Sequence, residues 1–533
     1  MRRRLFRAGG VRVAVAAALL AIVSSACAYV EQVNLSSDEV AGDSDVVGRV
    51  AISGDGRYVT FAQGGTPLVA GVPAAGYVHV YVRDLATGAT EIIDVSDAGD
   101  AGTGTALYPA ISADGRYVAY ESTATNLVAG DTNASTDVFV RDRTAGTTTR
   151  VSVATDGTEG DDDSEEPSIS ADGNRVAFSS YAENLVGDDY NSAQDIFVRD
   201  RTAGTTVRAS VKSNGNEGDE EEDNYESAIS ADGNTVAFVT YEPFASDDLN
   251  EEEDVYVREL ATSKTRLVSR RNSGTVPADG GFGPPDISAD GRYVAFISSA
   301  NLDGGVAPIT LEIFVRDRTA GTTIRASKAA DGTKSNGPSF VPSISADGRY
   351  VAFRSGGSNL IVGDTNGYDD VFVRDTVENT TTLASRALFL AQVAGHSYTG
   401  AISDDGNMVA FTTPALVQSL SGDTTDNGKI DVYARYYRTP TITSVSPKKI
   451  PRGTATNITI SGSGFEPGAV PSMADGIVVG KVVVVSATEI TARARVPAGF
   501  AKGNAVIRVK IPGPSWNTDN GATAECTDCV KVT

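Results

Sequence analysis

One phrase recurs seven times along the chain and constrains the fold more than any other feature. It first reads Ile52-Ser53-Gly54-Asp55-Gly56-Arg57-Tyr58-Val59 and returns around Gly115, Gly173, Gly233, Gly291, Gly348 and Gly406. The intervals between these glycines are 59, 58, 60, 58, 57 and 58 residues, so one structural unit of nearly constant length is repeated. Each unit carries a second phrase, β-branched and aromatic, ending in Arg and usually Asp. It runs from Val80 to Asp84, Val138 to Asp142, Ile196 to Asp200, Val255 to Arg258, Ile313 to Asp317, Val371 to Asp375 and Val432 to Arg435.

Further strand-like runs complete the unit. Unit two reads as Tyr108 to Ser112, a turn, Tyr117 to Glu121, a long loop, Asp137 to Arg141, a turn, and Thr147 to Val153. Asp114-Gly115 is a hairpin turn in which Gly takes positive φ without steric cost. The runs Tyr117-Val118-Ala119-Tyr120 and Val138-Phe139-Val140 are apolar at successive positions, which implies burial on both faces. A four-stranded blade packed between two neighbours has that environment, and no helical pattern is present. The expectation is an all-β chain built around a seven-bladed β-propeller.

The phrases Ser112-Ala113-Asp114-Gly115-Arg116 and Asp137 to Asp142 resemble the TolB-type propeller repeat, over residues 30 to 435. That resemblance implies the fold and leaves function open, because binding scaffolds and enzyme-linked propellers share it. Unit seven has no fourth strand before the next domain begins. The segment Tyr29 to Asp38 looks like an orphan fourth strand, by comparison with Arg150-Val151-Ser152-Val153, and is expected to complete the last blade.

After Pro440 the repeat stops. Pro440 to Pro447, Gly453 and Ile458-Thr459-Ile460-Ser461-Gly462-Ser463-Gly464-Phe465 resemble the opening of an IPT/TIG domain, an immunoglobulin-like β-sandwich. Runs at Ile477 to Val485, Glu489 to Val496 and Ala505 to Ile511 supply further strands. The resemblance implies an accessory or surface-interaction role. The organisation expected is 1–28 signal peptide, 29–438 propeller and 439–533 immunoglobulin-like domain.

The N-terminus pairs Arg2-Arg3-Arg4 with an apolar stretch, Val13 to Val23, and the small residues Ser24-Ser25-Ala26-Cys27-Ala28. That pattern is a secretory signal, so a secreted or cell-envelope location is expected. Either ordinary cleavage or a lipid anchor at Cys27 fits it. The first 28 residues hold five Arg and no acid, leaving 40 basic against 69 acidic residues, net −29. Such a chain repels nucleic acid and anionic lipid and attracts cations or basic partners. Cys526 and Cys529, three residues apart in an exported chain, read as a local disulfide, since a metal site would need two further ligands.

The elaborate loops fall on one face and are acidic. Asp161-Asp162-Asp163-Ser164-Glu165-Glu166 and Asp219-Glu220-Glu221-Glu222-Asp223 read as crossovers between units. The second-to-third loops repeat a Gly-Asp-Thr-Asn phrase: Asp131, Asn133 and Asp137; Asp188, Asn191 and Asp195; Asp364, Asn366 and Asp370; Asp423, Asn427 and Asp431. Asp247, Asn250 and Asp254 form a related set. Closely spaced oxygen ligands in a Gly-containing loop can assemble a Ca²⁺ site. The same residues also cap turns by bonding their own backbone. The repeated Arg-Asp pairs, such as Arg141 and Asp142, read as structural for the reason that they repeat.

Function is sought where the repeat breaks: at His79 in unit one, at Asn301 to Gly305 in unit five, and at Phe389, His396 and Tyr398 in the seventh crossover. The chain has two histidines, no G-x-S-x-G elbow and no phosphate-cradling glycine loop. Ser-Ala-Asp-Gly does not match a sialidase Asp box. A paired-carboxylate glycosidase remains open. The leading expectation is a non-catalytic binding scaffold for a protein or glycan. A carboxylate-dependent polysaccharide-active enzyme and a structural surface protein are the alternatives.

Overall fold

The computed structural model describes residues 30–72, 76–218, 222–275, 280–305, 310–386, 392–414, 429–436, 441–463, 470–473, 477–486, 489–498, 503–510 and 523–532. The signal segment with Cys27, the acids Asp219 to Glu221, Phe389, Asp423 and Asn427 lie outside them. Every regular element described is a β-strand.

Seven four-stranded antiparallel sheets follow the seven units in a propeller-like arrangement. Unit two consists of Ala106–Ile111, Tyr117–Ser122, Asp137–Asp142 and Thr147–Arg150. Its second and third strands are buried nearly throughout, as their unbroken apolar runs require. The inner strand of each unit touches that of the next, and Tyr398–Ile402 of unit seven meets Val46–Ile52 of unit one. Val30–Gln32 pairs antiparallel with Asp431–Tyr436 and supplies the fourth strand of that last sheet.

The core lies between sheets. Ala62, Val80 and Val82 of unit one pack with Val118, Tyr120 and Phe139 of unit two in one buried cluster. Each fully buried Val or Phe contributes roughly 1.5–3 kcal/mol, so adjacent sheets stabilise each other face to face. The hairpin glycines belong to this contact. Gly115 and Gly173 have φ of 72° and 70°, and a Cβ on either would lie 2.1 Å from the ring of Tyr58 or Tyr117 in the preceding unit. Positive φ and the neighbouring ring both demand Gly there.

Polar ties repeat with the same period. Thr148 Oγ1 donates to Val95 O of the preceding unit (2.5 Å), and Thr323 Oγ1 does the same to Arg270 O (2.8 Å). Arg141 and Asp142 do not pair with each other. Arg141 donates to Thr148 Oγ1 (3.1 Å) and reaches back to Ser96 O (3.4 Å). Asp142 instead receives both ends of the Arg116 guanidinium, at 3.0 and 2.6 Å.

Residues from Thr441 onward form two further four-stranded sheets. Ile458, Ile460 and Ile490 of one sheet share a single core with Met473, Ile507 and Val532 of the other, as in a sandwich. The strands Val478–Ser486, Glu489–Arg495 and Gly503–Lys510 fall close to the expected runs. Cys526 and Cys529 lie on the backbone of Thr523–Val532, where the register against the partner strand shifts, and their side chains are outside the described set.

Candidate functional site

The acid that opens the third strand, Asp in units two, three, four, six and seven and Glu312 in unit five, is a strut inside its blade. Asp137 is fully buried and accepts from Ser152 Oγ (2.5 Å), while Ser152 Oγ accepts from Val138 N (3.1 Å). Asp370 with Ser385 repeats the arrangement (2.6 Å), and Asp195 with Ser210 does so at 2.5 Å. In unit seven the partner is Asn34 of the N-terminal segment, which donates to Asp431 Oδ1 (2.7 Å) and accepts from Val432 N (3.2 Å). Unit one exchanges the pair: His79 stands at the Asp position and Asp94 at the Ser position. His79 Nδ1 and Asp94 Oδ2 are 2.6 Å apart, and Asp94 Oδ1 accepts from Val80 N (3.0 Å). His79 is 3 % exposed and lies within the blade.

Around two of these struts an arginine fills the centre of the oxygen cluster. Arg150 lies 2.9 Å from Asp137, 2.9 Å from Glu159 and 3.4 Å from Asp131. Arg208 lies 2.9 Å from Asp195, 2.8 Å from Glu217, 3.0 Å from Asp189 and 3.8 Å from Asp188. Burial pushes the Asp137 and Asp195 carboxyls up, while serine and the arginine pull them down. Unit six has Leu383 at the equivalent position, and burial pushes Asp370 up to about 6. Asp364 there accepts from Gln392 Nε2 (3.0 Å). The Asn side chains act as donors: Asn133 to Gly160 O (2.8 Å), and Asn366 to Asp370 (2.8 Å) and Val393 O (3.1 Å). Asn191 Oδ1 accepts from Ala193 N (3.4 Å), in a turn. Among the described residues no group of three or more His, Cys, Asp and Glu is arranged to hold a metal ion.

A different region gathers the residues that vary between units. Each inner strand breaks register against its neighbour at the same height, between Val47 and Ala51, Leu107 and Ala110, Glu165 and Ser168, Tyr225 and Ala228, Phe282 and Asp286, Phe340 and Ser343, and Tyr398 and Gly400. These are β-bulges on strands whose free edge faces the axial channel. Pro109, Pro167, Pro285 and Pro342 sit there, where a missing N–H costs nothing. Tyr108, Glu166, Glu226 and Val341 take φ of 48°, 50°, 54° and 49°. Such strain is held only where the surrounding structure imposes it.

In units three to five acids stand at the bulges, namely Glu165 and Glu166, Glu226, and Asp286, which lines the channel and is pushed up to about 6 by burial; Glu121 joins them from the second strand of unit two. Glu121 accepts from Glu166 N (2.9 Å). Burial, with Glu165, Glu166 and Asp163 close by, pushes Glu121 up to about 7. Glu226 also rises to about 7 through burial, against the pull of Arg49, with Glu166 and Glu253 adding to the rise. Tyr225 donates its hydroxyl to Glu253. Arg49 of unit one reaches across the channel to Glu226 of unit four at 3.1 Å. Glu165 and Glu166, expected in a crossover, belong to the inner strand Ser164–Ile169, because the bulge lets the strand start earlier than its apolar part.

Units six and seven present aromatic rings and an arginine. The Arg354 guanidinium lies 5.0 Å from the Tyr398 ring centroid and 5.5 Å from that of Phe340, and Nε donates to Asp369 (2.7 Å). His396 stacks on Tyr398 at 6.2 Å and meets Tyr368 edge-on at 5.1 Å. Its Nδ1 accepts from Asp369 N (3.1 Å), and its side chain is 46 % exposed. His396 and Tyr398 are thus brought together with four residues that lie outside the seventh crossover, Phe340, Arg354, Tyr368 and Asp369. The channel below has a volume of about 300 Å³ and is lined by the inner strands of all seven units.

A family model, quinohemoprotein amine dehydrogenase alpha subunit domain III, matches residues 439–511. No curated protein matches the chain. Among solved structures, a protein assigned as TolB from Agrobacterium tumefaciens is 16 % identical, with 63 % of this chain and 91 % of that one covered and a TM-score of 0.34. A prolyl endopeptidase is 11 % identical, with 79 % and 55 % covered and a TM-score of 0.44. A GH74 xyloglucanase from Xanthomonas campestris is 10 % identical, with 95 % and 74 % covered and a TM-score of 0.36. At these TM-scores the fold of the chain rests on its own strand order.

Proposed function

We propose that the protein is a non-catalytic, extracytoplasmic binding scaffold that receives a protein segment at the bulged mouth of its axial channel. The observation that carries this reading is the placement of variability. Positions repeated in every unit are consumed in struts, turns and ties between blades. The bulge register changes from unit to unit, and it collects at one end of one channel. Acids on one side and the Arg354, Tyr398 and His396 cluster on the other make a polarised rim suited to recognition. The signal-like N-terminus supports export.

The test is ligand capture from the extracytoplasmic proteins of the source cell. Parent protein is compared with the triple variant Tyr108→Ala, Glu166→Gln, Tyr398→Ala and with Glu378→Gln, a change on an exposed turn away from the mouth. A ligand held equally by all three removes the mouth from the reading. One observation favours a catalytic alternative: Glu121 and Glu226, at about 7, hold protons near neutrality, as a general acid must. Release of reducing ends from a polysaccharide, lost in Glu121→Gln, would establish that alternative.

A further inference from the structure

The acidic half of the mouth is short of cations. Among the described residues the one ion pair formed by Glu121, Glu165, Glu166, Glu226 and Glu253 is that of Glu226 with Arg49. That guanidinium comes from 177 residues away in sequence and crosses the channel. It marks Glu226 as a carboxylate that accepts a basic side chain delivered from outside its own blade.

A second observation points the same way. Ser227, the residue after Glu226, is 7 % exposed, lines the channel, and its hydroxyl has no hydrogen-bond partner. Ser168, two residues after Glu166, also lines the channel with an unpartnered hydroxyl. Buried hydroxyls are ordinarily paired. Two of them behind two strained glutamates are free acceptors along the wall just inside the rim. A side chain with several N–H donors and a positive charge would engage the carboxylates and then these hydroxyls.

We propose that this half of the mouth is a receptor for a cationic side chain, arginine or lysine, borne on a basic segment of a partner protein, with Glu166 and Glu226 as charge partners and Ser168 and Ser227 as neutral acceptors. The inference rests on the mouth being the binding surface and adds the chemistry of what enters it. Glu121 is faced by Glu165, Glu166, Asp163 and Tyr108, and Glu226 by Arg49, Glu166, Glu253 and Tyr225. The carboxyls therefore hold protons largely because the site is dry, and the neighbouring acids add to the rise. An arriving cation favours the ionised forms, so binding expels protons near pH 7 and strengthens as pH rises from 6 to 8.

The experiment is isothermal titration of the full chain with acetyl-tetra-arginine amide, and with acetyl-tetra-glutamine amide as the uncharged control. Each is run at pH 7 in two buffers of different ionisation heat. The expected result is saturable one-site binding of the arginine peptide alone, with net proton release. Glu166→Gln should weaken it about tenfold, while the double variant Asp38→Asn, Asp100→Asn, which removes two exposed charges elsewhere, leaves it unchanged. Among the described residues no side-chain hydrogen bond or ion pair ties Glu166 to the fold, so a matching melting curve separates lost binding from lost structure. Non-saturable binding, absence of proton release, or equal weakening by the Asp38 and Asp100 changes overturns the proposal. If the arginine peptide fails to bind while the Tyr108, Glu166 and Tyr398 triple variant still loses its captured ligand, the mouth stands as the binding surface and this inference alone falls.

Discussion

Glu31 stands on the strand that closes the last sheet, is 1 % exposed, and neither carboxyl oxygen has a hydrogen-bond partner. Burial pushes it from 4.5 up to about 8, against the pull of Arg83 and with a small push from Glu39. The folded state therefore holds a proton that the unfolded chain releases at much lower pH. Because the folded value is raised for an acid, stability falls as pH rises from about 5 to 8 and levels off above the folded value. The slope is about 1.4 kcal/mol per pH unit, giving a cost of roughly 3 kcal/mol at pH 7 and about 5 kcal/mol above pH 9. Glu31→Gln removes the titration and keeps the shape. Urea unfolding of parent and variant, followed by circular dichroism at unit steps from pH 5 to 9, should give curves that diverge up to pH 8 in favour of the variant. Any constant packing offset of the Gln cancels in this comparison. Amide exchange at Val33 and Val432, which are hydrogen-bonded across the closure, should quicken over the same window in the parent only. Parallel stability curves would refute the reasoning, since they would mean that Glu31 is solvated or paired when folded.

Four further outcomes follow from the struts and turns. Asn34→Ala strips the closing strut from Asp431 and should destabilise by about 2–4 kcal/mol in urea melts, whereas Asn34→Ser, the residue used by other units, should recover most of the loss; equal effects would show that the strut contributes nothing. Arg150→Met leaves Asp131, Asp137 and Glu159 without their shared cation and should cost about 3–5 kcal/mol. In the parent, Ca²⁺ should not raise the melting temperature beyond Mg²⁺ through units two and three, because the guanidinium already fills those oxygen clusters; a calcium-selective rise lost in Asp131→Asn would contradict this. Gly173→Ala forces a Cβ into left-handed backbone and against Tyr117, at a cost of about 1–3 kcal/mol, and an unchanged melting curve would show that the turn relaxes freely.

The hairpin turns were legible because Asp-Gly needs positive φ at a fixed place, and the second and third strands because Val118 to Tyr120 and Val138 to Val140 are apolar without alternation. The struts were not, since Asp137 and Ser152 are 15 residues apart and each looks ordinary alone. Setting the units in columns would have exposed them: Asp94 faces His79 where units two to six place Ser, and unit seven Asn34, opposite an acid. The Gly-Asp-Thr-Asn phrase displays its oxygens but hides the guanidinium, because Arg150 reads as the polar end of an outer strand. The mouth was least visible. Its residues occupy the register where the units disagree, which resembles noise, and only the bulge brings Glu121, Glu166, Glu226, Arg354 and Tyr398 to one rim. The available signal was proline: Pro109, Pro167, Pro285 and Pro342 recur inside an inner strand, where proline marks a free edge or a bulge.

Charge points to the same division between scaffold and rim. Most arginines described in the propeller are committed at fixed places: Arg116, Arg292 and Arg349 to the Asp that ends the third strand, Arg141 and Arg374 to the preceding unit, Arg150 and Arg208 to the struts. The pairs of Arg116, Arg292, Arg349, Arg150 and Arg208 each neutralise an acid within the repeat, while Arg141 and Arg374 bond carbonyl and hydroxyl oxygens. Part of the acidic excess collects where the repeat places no arginine, at the bulges of units three to five and on Glu121 of unit two. Arg49 and Arg354 stand at the rim: one crosses the channel to Glu226, and the other lies between Phe340 and Tyr398. A rim that drew its negative charge from chance composition would carry it in all seven units. One whose bulge acids stand on units three, four and five, with Glu121 beside them in unit two and rings and an arginine in units six and seven, has a direction, and a ligand bound there is held in one orientation about the axis.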